Sequence, residues 1–427
     1  MANISSVGRG IELPLKKASP CGSRPLRIDY LCEASRDFRE EKLLRRLPPA
    51  SNQLIGDIAE QPMSRRPGVA ITPALSPETE SAKRRKAAEN SLPIFEDASW
   101  LPHRYAEARD EIHFLKTARG IHRKVTFLTE EYLPSEAERI AIPLADIKQP
   151  LQTSPIHFIL HSAFCCSTLL ARACDIEGTA MGLKEPTILN DLVGWKRRGC
   201  DLQKLAATLD ISLALLARPF EDGEVNIIKP SNIVNSLAPA LLGLRPQSRA
   251  ILLYAPLSTF LTSIVKKGLW GRLWVRELFA GLRSDKMIQL GFTDEQHFLQ
   301  SDLQIAAAGW LAQQDYFSKL CERFGAARIR TLDSKSLLAD PLNMMEKLAQ
   351  FYGLPLEPAT LKAVAEGPAF TTHSKTKEFF GAEDRRQEYD MAVEAHRDEI
   401  EKVTVWAETV AQERGIPLTL PLPLLLS

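Results

Sequence analysis

Ser167 and Thr168 close a glycine-free run, His161-Ser162-Ala163-Phe164-Cys165-Cys166. The run follows the apolar stretch Ile156–Leu160 and precedes Leu169-Leu170-Ala171-Arg172-Ala173, which reads as a helix. An apolar stretch of that length, bounded by small residues, has the signature of a buried strand. Strand, small-residue loop and helix N-terminus together aim backbone N–H groups at one point, which is the chemistry of anion binding. The N–H groups of 164–168 and the hydroxyls of Ser167 and Thr168 are the donors. Ser and Thr also cap helices, so an ordinary strand-to-helix turn is the alternative. The glycines and the lysine usual in a phosphate cradle are missing. A second cationic group is Arg272 and Arg276, four apart and flanked by Trp270 and Trp274. They can clamp an anion or stack a base, and cation–π packing inside the fold accounts for them equally well. His103, Arg104, His113, His122 and Arg123 are isolated residues of the kind that usually face the core or solvent.

The elements that position these residues alternate. Strand-like runs lie at 156–161, 180–183, 225–230, 250–254 and 327–332. Between them, Leu205, Leu209, Leu213 and Leu216 repeat with a helix period. Helices are also expected at 233–242, 259–267, 343–352 and over much of 271–324. Strands alternating with helices imply an α/β fold, a central parallel sheet with helices on both faces. Such sheets bind ligands beyond the carboxyl ends of their strands. His161, Lys184, Lys229, Tyr254 and Asp333 all fall at such ends.

The chain has 427 residues, 44% apolar and 25% charged, with a net charge of +1. That balance gives no global drive toward nucleic acid or anionic membrane, and no specific nucleic-acid partner is expected. Seven cysteines, Cys21, Cys32, Cys165, Cys166, Cys174, Cys200 and Cys321, form no CxxC pair and no Cys/His ligand spacing. They read as reduced thiols in a cytoplasmic protein, with no metal expected. No run approaches the ~18 apolar residues of a membrane span. Residues 1–92 are rich in proline and serine and carry the basic pairs Lys16-Lys17, Arg45-Arg46 and Arg65-Arg66 and the run Lys83-Arg84-Arg85-Lys86. Such a composition predicts a largely disordered segment. It suits a solvated linker better than a nucleic-acid or surface-binding tail. Residues 93–150 read as a cap on the core, with strands at 112–115 and 125–128. Residues 151–427 form the main domain, and the apolar, proline-broken 418–426 reads as an extended tail packed along it.

Four patches in order over 151–380 resemble the P-loop sulfotransferase family. His161–Thr168 lies where the family has its 5′-phosphosulfate loop. Leu253-Tyr254-Ala255-Pro256 with Ser263 lies where it grips the 3′-phosphate. Ser336–Pro341 followed by Phe351-Tyr352-Gly353-Leu354 is similar to the family's Ala-Asp-Pro and Phe-x-Gly-Leu helix. His373-Ser374-Lys375 resembles a late motif near the nucleotide. The resemblance implies a three-layer P-loop NTPase-like fold. It also implies transfer of a sulfuryl group from 3′-phosphoadenylyl sulfate to a hydroxyl or amine of a small acceptor.

It assigns residues as well. Phe164, Cys165, Cys166, Ser167 and Thr168 contact the 5′ end of the donor. Ser263 and Lys267, four apart on one helix face, hold the 3′-phosphate, and His373 and Lys375 touch the nucleotide. Lys229, which matches a lysine near the family's active site, supplies charge. Glu185 lies where some branches place a catalytic glutamate and is the preferred general base. A helix N-terminal carboxylate and a solvated strand-end lysine are the plainer readings of the last two. The chain departs from the pattern where Phe164 replaces a cation and Tyr254 an arginine. These departures favour a non-catalytic nucleotide-binding module. A phosphotransferase reading lacks a Walker lysine, because Ser167 holds its place. A cation reaching 164–168, from Lys229 or Lys184, separates catalysis from binding alone.

Overall fold

Apolar runs bounded by turns become strands. The computed structural model describes residues 92–148, 153–371 and 382–425, all within one unit of the chain, Asp57–Ser427. Among the described residues the strands are β1 (Trp100–Ala106), β2 (Glu111–Lys116), β3 (Arg139–Pro143), β4 (Ile156–His161), β5 (Ala180–Lys184), β6 (Val225–Lys229), β7 (Ala250–Tyr254) and β8 (Ile329–Asp333). The first three form an antiparallel sheet in the order β1-β2-β3. The other five form a parallel sheet in the order β5-β6-β4-β7-β8. β4 through β7 are buried along their whole length. Burial on both faces is why they read as continuous apolar runs rather than alternating ones.

The first strand of this sheet lies in its middle, so the loop after β4 sits among the other strand ends. The β4–β5 connection runs one way across the sheet and the next three run the other way. Right-handed crossovers then place their helices on opposite faces. Helix Ser167–Ala173 follows the loop closely packed on β5. A Cβ at Gly182 would lie 2.2 Å from the Ala171 carbonyl oxygen, so only glycine permits that approach. His157 anchors β4 from below. Its ring stacks on Tyr352 with centroids 4.9 Å apart. It meets the Tyr352 carbonyl oxygen at 3.1 Å and accepts from the Arg249 N–H at 3.0 Å.

Both sheet edges are covered, which blocks pairing with another chain. At β5, Arg119 donates to the Ala180 carbonyl at 3.1 Å and the Leu128 N–H donates to the Lys184 carbonyl at 2.7 Å. At β8, Thr331 exchanges backbone bonds with Leu422 and Leu424 at 2.9 and 2.8 Å. The C-terminal segment therefore lies along β8, as an extended apolar tail should. Among the described residues no helix is long and apolar enough to cross a membrane.

Three expectations change. Val125–Leu128 is not a strand; its backbone bond to Lys184 crosses the end of β5 instead of extending a sheet. The helix expected over 259–267 runs from Leu257 to Val265. A new helix, Gly268–Ser284, begins where Gly268 takes a φ of 58°. The segment expected as helix from 233 starts as a 3-10 turn, Asn232–Leu237, before helix Ala238–Leu244. The helical segment Ala382–Arg414, broken by a kink at His396, was also not expected.

The three-stranded sheet is fastened by charge. Arg104 grips Asp191 of helix Thr187–Arg197 with two bonds of 2.8 and 2.9 Å. The fully buried Arg218 donates to the carbonyls of Leu215, Ile94, Asp97 and Trp100. Burial lowers its pKa to about 10, which still leaves it charged at neutral pH.

Candidate functional site

The turn after β4 carries an unusual backbone. Ala163, Phe164 and Cys166 have φ values of 71°, 49° and 64°. Left-handed conformations cost non-glycine residues about 1–2 kcal/mol each. A turn that glycines would form without strain is thus built from residues that oppose it, and the surroundings must hold it. The Ser162 N–H donates to the Leu253 carbonyl at 3.0 Å. His161 accepts from the Ala163 N–H through Nδ1 at 3.1 Å and meets the Pro230 carbonyl oxygen through Nε2 at 3.0 Å. Asn235 Nδ2 donates to the His161 carbonyl at 2.9 Å. Cys165 is wholly buried with its Sγ 3.4 Å from the Leu253 carbonyl oxygen. Burial pushes that thiol up to about 12, so it stays protonated and unreactive. Cys166→Gly should leave stability unchanged or raise it by up to about 1 kcal/mol, because glycine takes the left-handed turn freely. Cys165→Gly should lower it by about 2 kcal/mol through the cavity it leaves. Chemical denaturation reads both, and equal losses would mean the turn holds no strain.

Phe164 faces rings rather than ions. It lies 5.1 Å from Trp274 and 6.1 Å from Phe260. Trp274 stacks on Trp270 at 6.2 Å. Ser167 and Thr168 are buried at the start of the helix.

Lys229 and Glu185 are brought together. They end β6 and follow β5, with the preceding Lys184 in register with Lys229. Lys229 is 1% exposed and donates its ammonium to Glu185 Oε1, whose side chain is 19% exposed. The ammonium also lies 5.2 Å from the centre of the Phe127 ring. Glu185 has a φ of 55°, held by its N–H bond of 2.7 Å to the Lys229 carbonyl. The loop after β4 lies beside the end of β6, because β4 pairs with β6 and His161 meets the carbonyl oxygen of Pro230, the residue after Lys229. Lys184 donates to the His122 and Arg123 carbonyls at 2.6 and 3.2 Å.

Other expected ligands are engaged elsewhere. Arg272 makes two bonds of 2.9 and 2.7 Å to Glu399. Arg276 pairs with Asp302 and donates to the Gln300 carbonyl at 3.1 Å. Both fasten neighbouring helices, which removes the anion clamp expected of them. The Tyr254 hydroxyl accepts from the Leu420 N–H at 3.3 Å and so secures the C-terminal tail. Ser263 donates back to the Thr259 carbonyl at 2.9 Å. Lys267 leads into the next helix with its ammonium 5.5 Å from the centre of the Trp270 ring. The helix carrying Ser263 ends at Val265 and Lys267 lies in the turn before Gly268, so the shared helix face expected for them does not form. His373 and Lys375 lie outside the described residues.

Phe127 is the site residue that sequence reasoning missed. An apolar run is all that marks it, and that run reads as a strand. The segment bearing it is held by ion pairs: Arg119 meets Asp175 at 2.7 Å and Glu224 at 3.2 Å.

No family model matches the chain, and no curated protein matches it. Three solved structures are similar at low identity. A sulfotransferase domain from the curacin biosynthetic pathway is 13% identical, the match covering 63% of this chain and 99% of that one, with a TM-score of 0.37. A sulfotransferase domain from the olefin synthase of Synechococcus PCC 7002 is 16% identical, covering 52% and 82%, with a TM-score of 0.31. A sulfotransferase from Mycobacterium avium is 12% identical, covering 57% and 77%, with a TM-score of 0.34.

Proposed function

We propose that the chain is a sulfotransferase-like enzyme that moves a sulfuryl group from 3′-phosphoadenylyl sulfate to a hydroxyl or amine of a small acceptor. One observation carries this reading. A left-handed loop and a buried ammonium–carboxylate pair converge at the carboxyl ends of β4, β5 and β6.

Such a transfer requires in-line positioning of donor and acceptor and stabilisation of charge on the leaving oxygen. The residues present fit the 5′ end of the donor. N–H groups of 164–168 and the Ser167 and Thr168 hydroxyls are suited to hold its anionic oxygens. Lys229 restores the positive charge that Phe164 does not provide. Glu185, partly open to solvent, is placed to take the proton from the acceptor hydroxyl or amine. The donor, when bound, supplies the sulfuryl group. At the 3′ end the fit is poorer: Tyr254 is neutral and bonded to the tail. Ser263, Lys267, His373 and Lys375 remain the proposed contacts there. In the same reading 93–150 cap a main domain of 151–427.

A second reading is a nucleotide-binding module without catalysis. The packing of Phe164 on Trp274 and Phe260, where a cation would meet the sulfuryl group, favours it.

Titration of the purified chain with adenosine 3′,5′-bisphosphate and with ATP tests the first reading. The bisphosphate is expected to bind and ATP not to. Binding of ATP alone, or of neither, would sink it. Bisphosphate binding without transfer to any of a panel of phenol, alcohol and amine acceptors would favour the second.

A further inference from the structure

We propose that Glu185 is a built-in counterion: its carboxylate holds Lys229 until the anionic end of the donor takes its place, and the exchange releases Glu185 toward the acceptor. This rests on the anion-site reading above and deepens it.

The pair has the asymmetry an exchange needs. Lys229 is sealed, with 1% of its side chain exposed, under the Phe127 ring. A buried ammonium without an anionic partner sheds its proton. Glu185 therefore supplies the negative charge beside the sealed ammonium that an incoming anion would have to replace. Glu185 itself is the mobile half, because 19% of its side chain reaches solvent and a released carboxylate can be hydrated there. Its backbone is the strained half too. A φ of 55° on a glutamate aims the carboxylate at Lys229 at a cost that residues of this type rarely bear. The loop lies beside the end of β6 that carries Lys229: β4 pairs with β6, and the His161 ring bridges the Pro230 carbonyl oxygen at 3.0 Å and the Ala163 N–H at 3.1 Å. An anion on the 164–168 N–H groups would therefore compete with Glu185 for the same ammonium. No covalent bond changes in this step; one anion replaces another beside a fixed cation.

Several titratable and charged groups lie near Lys229 among the described residues. Glu185 lies beside it, Lys184 stands in register on β5, Cys165 sits in the loop, and His161 bonds the carbonyl of the next residue, Pro230. Replacing Glu185 by Gln removes the competitor and also the counterion, so the two consequences separate with pH. At pH 6, where an unpaired buried ammonium more readily keeps its proton, Glu185→Gln should bind adenosine 3′,5′-bisphosphate about tenfold more tightly than the wild type, as removal of a competing ion implies. Between pH 7 and 9 its affinity should fall by up to about tenfold per unit, since binding must first restore the proton. The wild type, which keeps its counterion, should stay within about threefold over the same range.

Isothermal titration at pH 6, 7, 8 and 9, in buffers of different ionisation enthalpy, reads affinity and proton uptake together. Proton uptake by Glu185→Gln but not by the wild type supports the exchange. Equal affinities and equal pH profiles overturn it while leaving the anion site standing. A wild type that binds no bisphosphate overturns both. Should the glutamine variant not fold, Glu185→Asp keeps the charge but shortens the reach by one methylene. It should also bind more tightly at pH 6, and unchanged or weaker binding overturns the exchange.

Discussion

Glu185→Gln is expected to lower the free energy of unfolding by about 3 kcal/mol, because it leaves the sealed ammonium of Lys229 unpaired, and adding Lys229→Met to return most of that loss. The reason is the local dielectric. Lys229 is sealed beneath Phe127 and bonded to Glu185. Removing one ion leaves the other without its compensating charge, which is the costly outcome for a buried pair. Removing both leaves an amide beside a thioether, which the site tolerates far better. Partial exposure of Glu185 places the single-mutant loss at the lower end of the range for buried pairs. A double-mutant cycle by urea denaturation measures the coupling. Additive losses would show that the two charges do not depend on each other. Lys229→Met alone, whose unpaired Glu185 reaches solvent, should lose transfer entirely while still folding, so stability and activity separate within one set of variants.

Acidification should destabilise the fold well before its carboxylates titrate. Burial, then the nearby charges of Lys184, Arg119 and Arg218, lowers His122 from 6.5 to about 3. Burial likewise lowers His157 from 6.5 to about 4, with Arg249 adding to it and the bond to Tyr352 opposing it. Both are neutral when folded and protonate when unfolded. The unfolded chain therefore binds more protons below pH 6.5, and stability falls as pH falls. Each histidine contributes a slope of up to about 1.4 kcal/mol per pH unit. The two act together from pH 6.5 to about 4, and His122 continues alone toward 3. Above pH 6.5 neither contributes. Thermal midpoints between pH 8 and 4 measure this. His122 is the cleaner probe, because neither ring nitrogen has a hydrogen-bond partner and its ring packs edge-on against Phe220 at 5.3 Å. His122→Phe should be nearly neutral at pH 7.5 and should flatten the acid limb. An unchanged acid limb in that variant would remove His122 as a source of the sensitivity.

Much of the sheet was legible in the residues themselves. The runs 156–161, 180–183, 225–230 and 250–254 read correctly as strands because a parallel strand buried on both faces must be largely apolar. Their ends, and hence the gathering of His161, Lys184, Lys229 and Tyr254, followed from the same runs. Val125–Leu128 misled for the same reason. It is equally apolar, but it closes over the end of β5, and no local signal separates a covering segment from a strand. Gly268 is a turn signal that the four-residue spacing of Ser263 and Lys267 concealed. Helix Ala382–Arg414 is too charged to show an apolar stripe, and its place is set by contacts such as Arg272–Glu399 across 127 residues.

The sequence by itself determined the α/β alternation, the glycine-free loop after β4 and which charged residues end the strands. Only the tertiary structure decided which charges meet. Lys184 and Lys229 are equivalent on paper, each closing a strand beside a proline or its neighbour. Strand order places Phe127 and Glu185 around Lys229 and the carbonyls of 122 and 123 around Lys184. Arg272 and Arg276, good anion ligands by type, are neutralised by Glu399 and Asp302. Backbone preference acts over a few residues and can be read along the chain. Charge pairing acts through space, across 44 residues for Lys229 and Glu185, and exists only once the sheet has assembled.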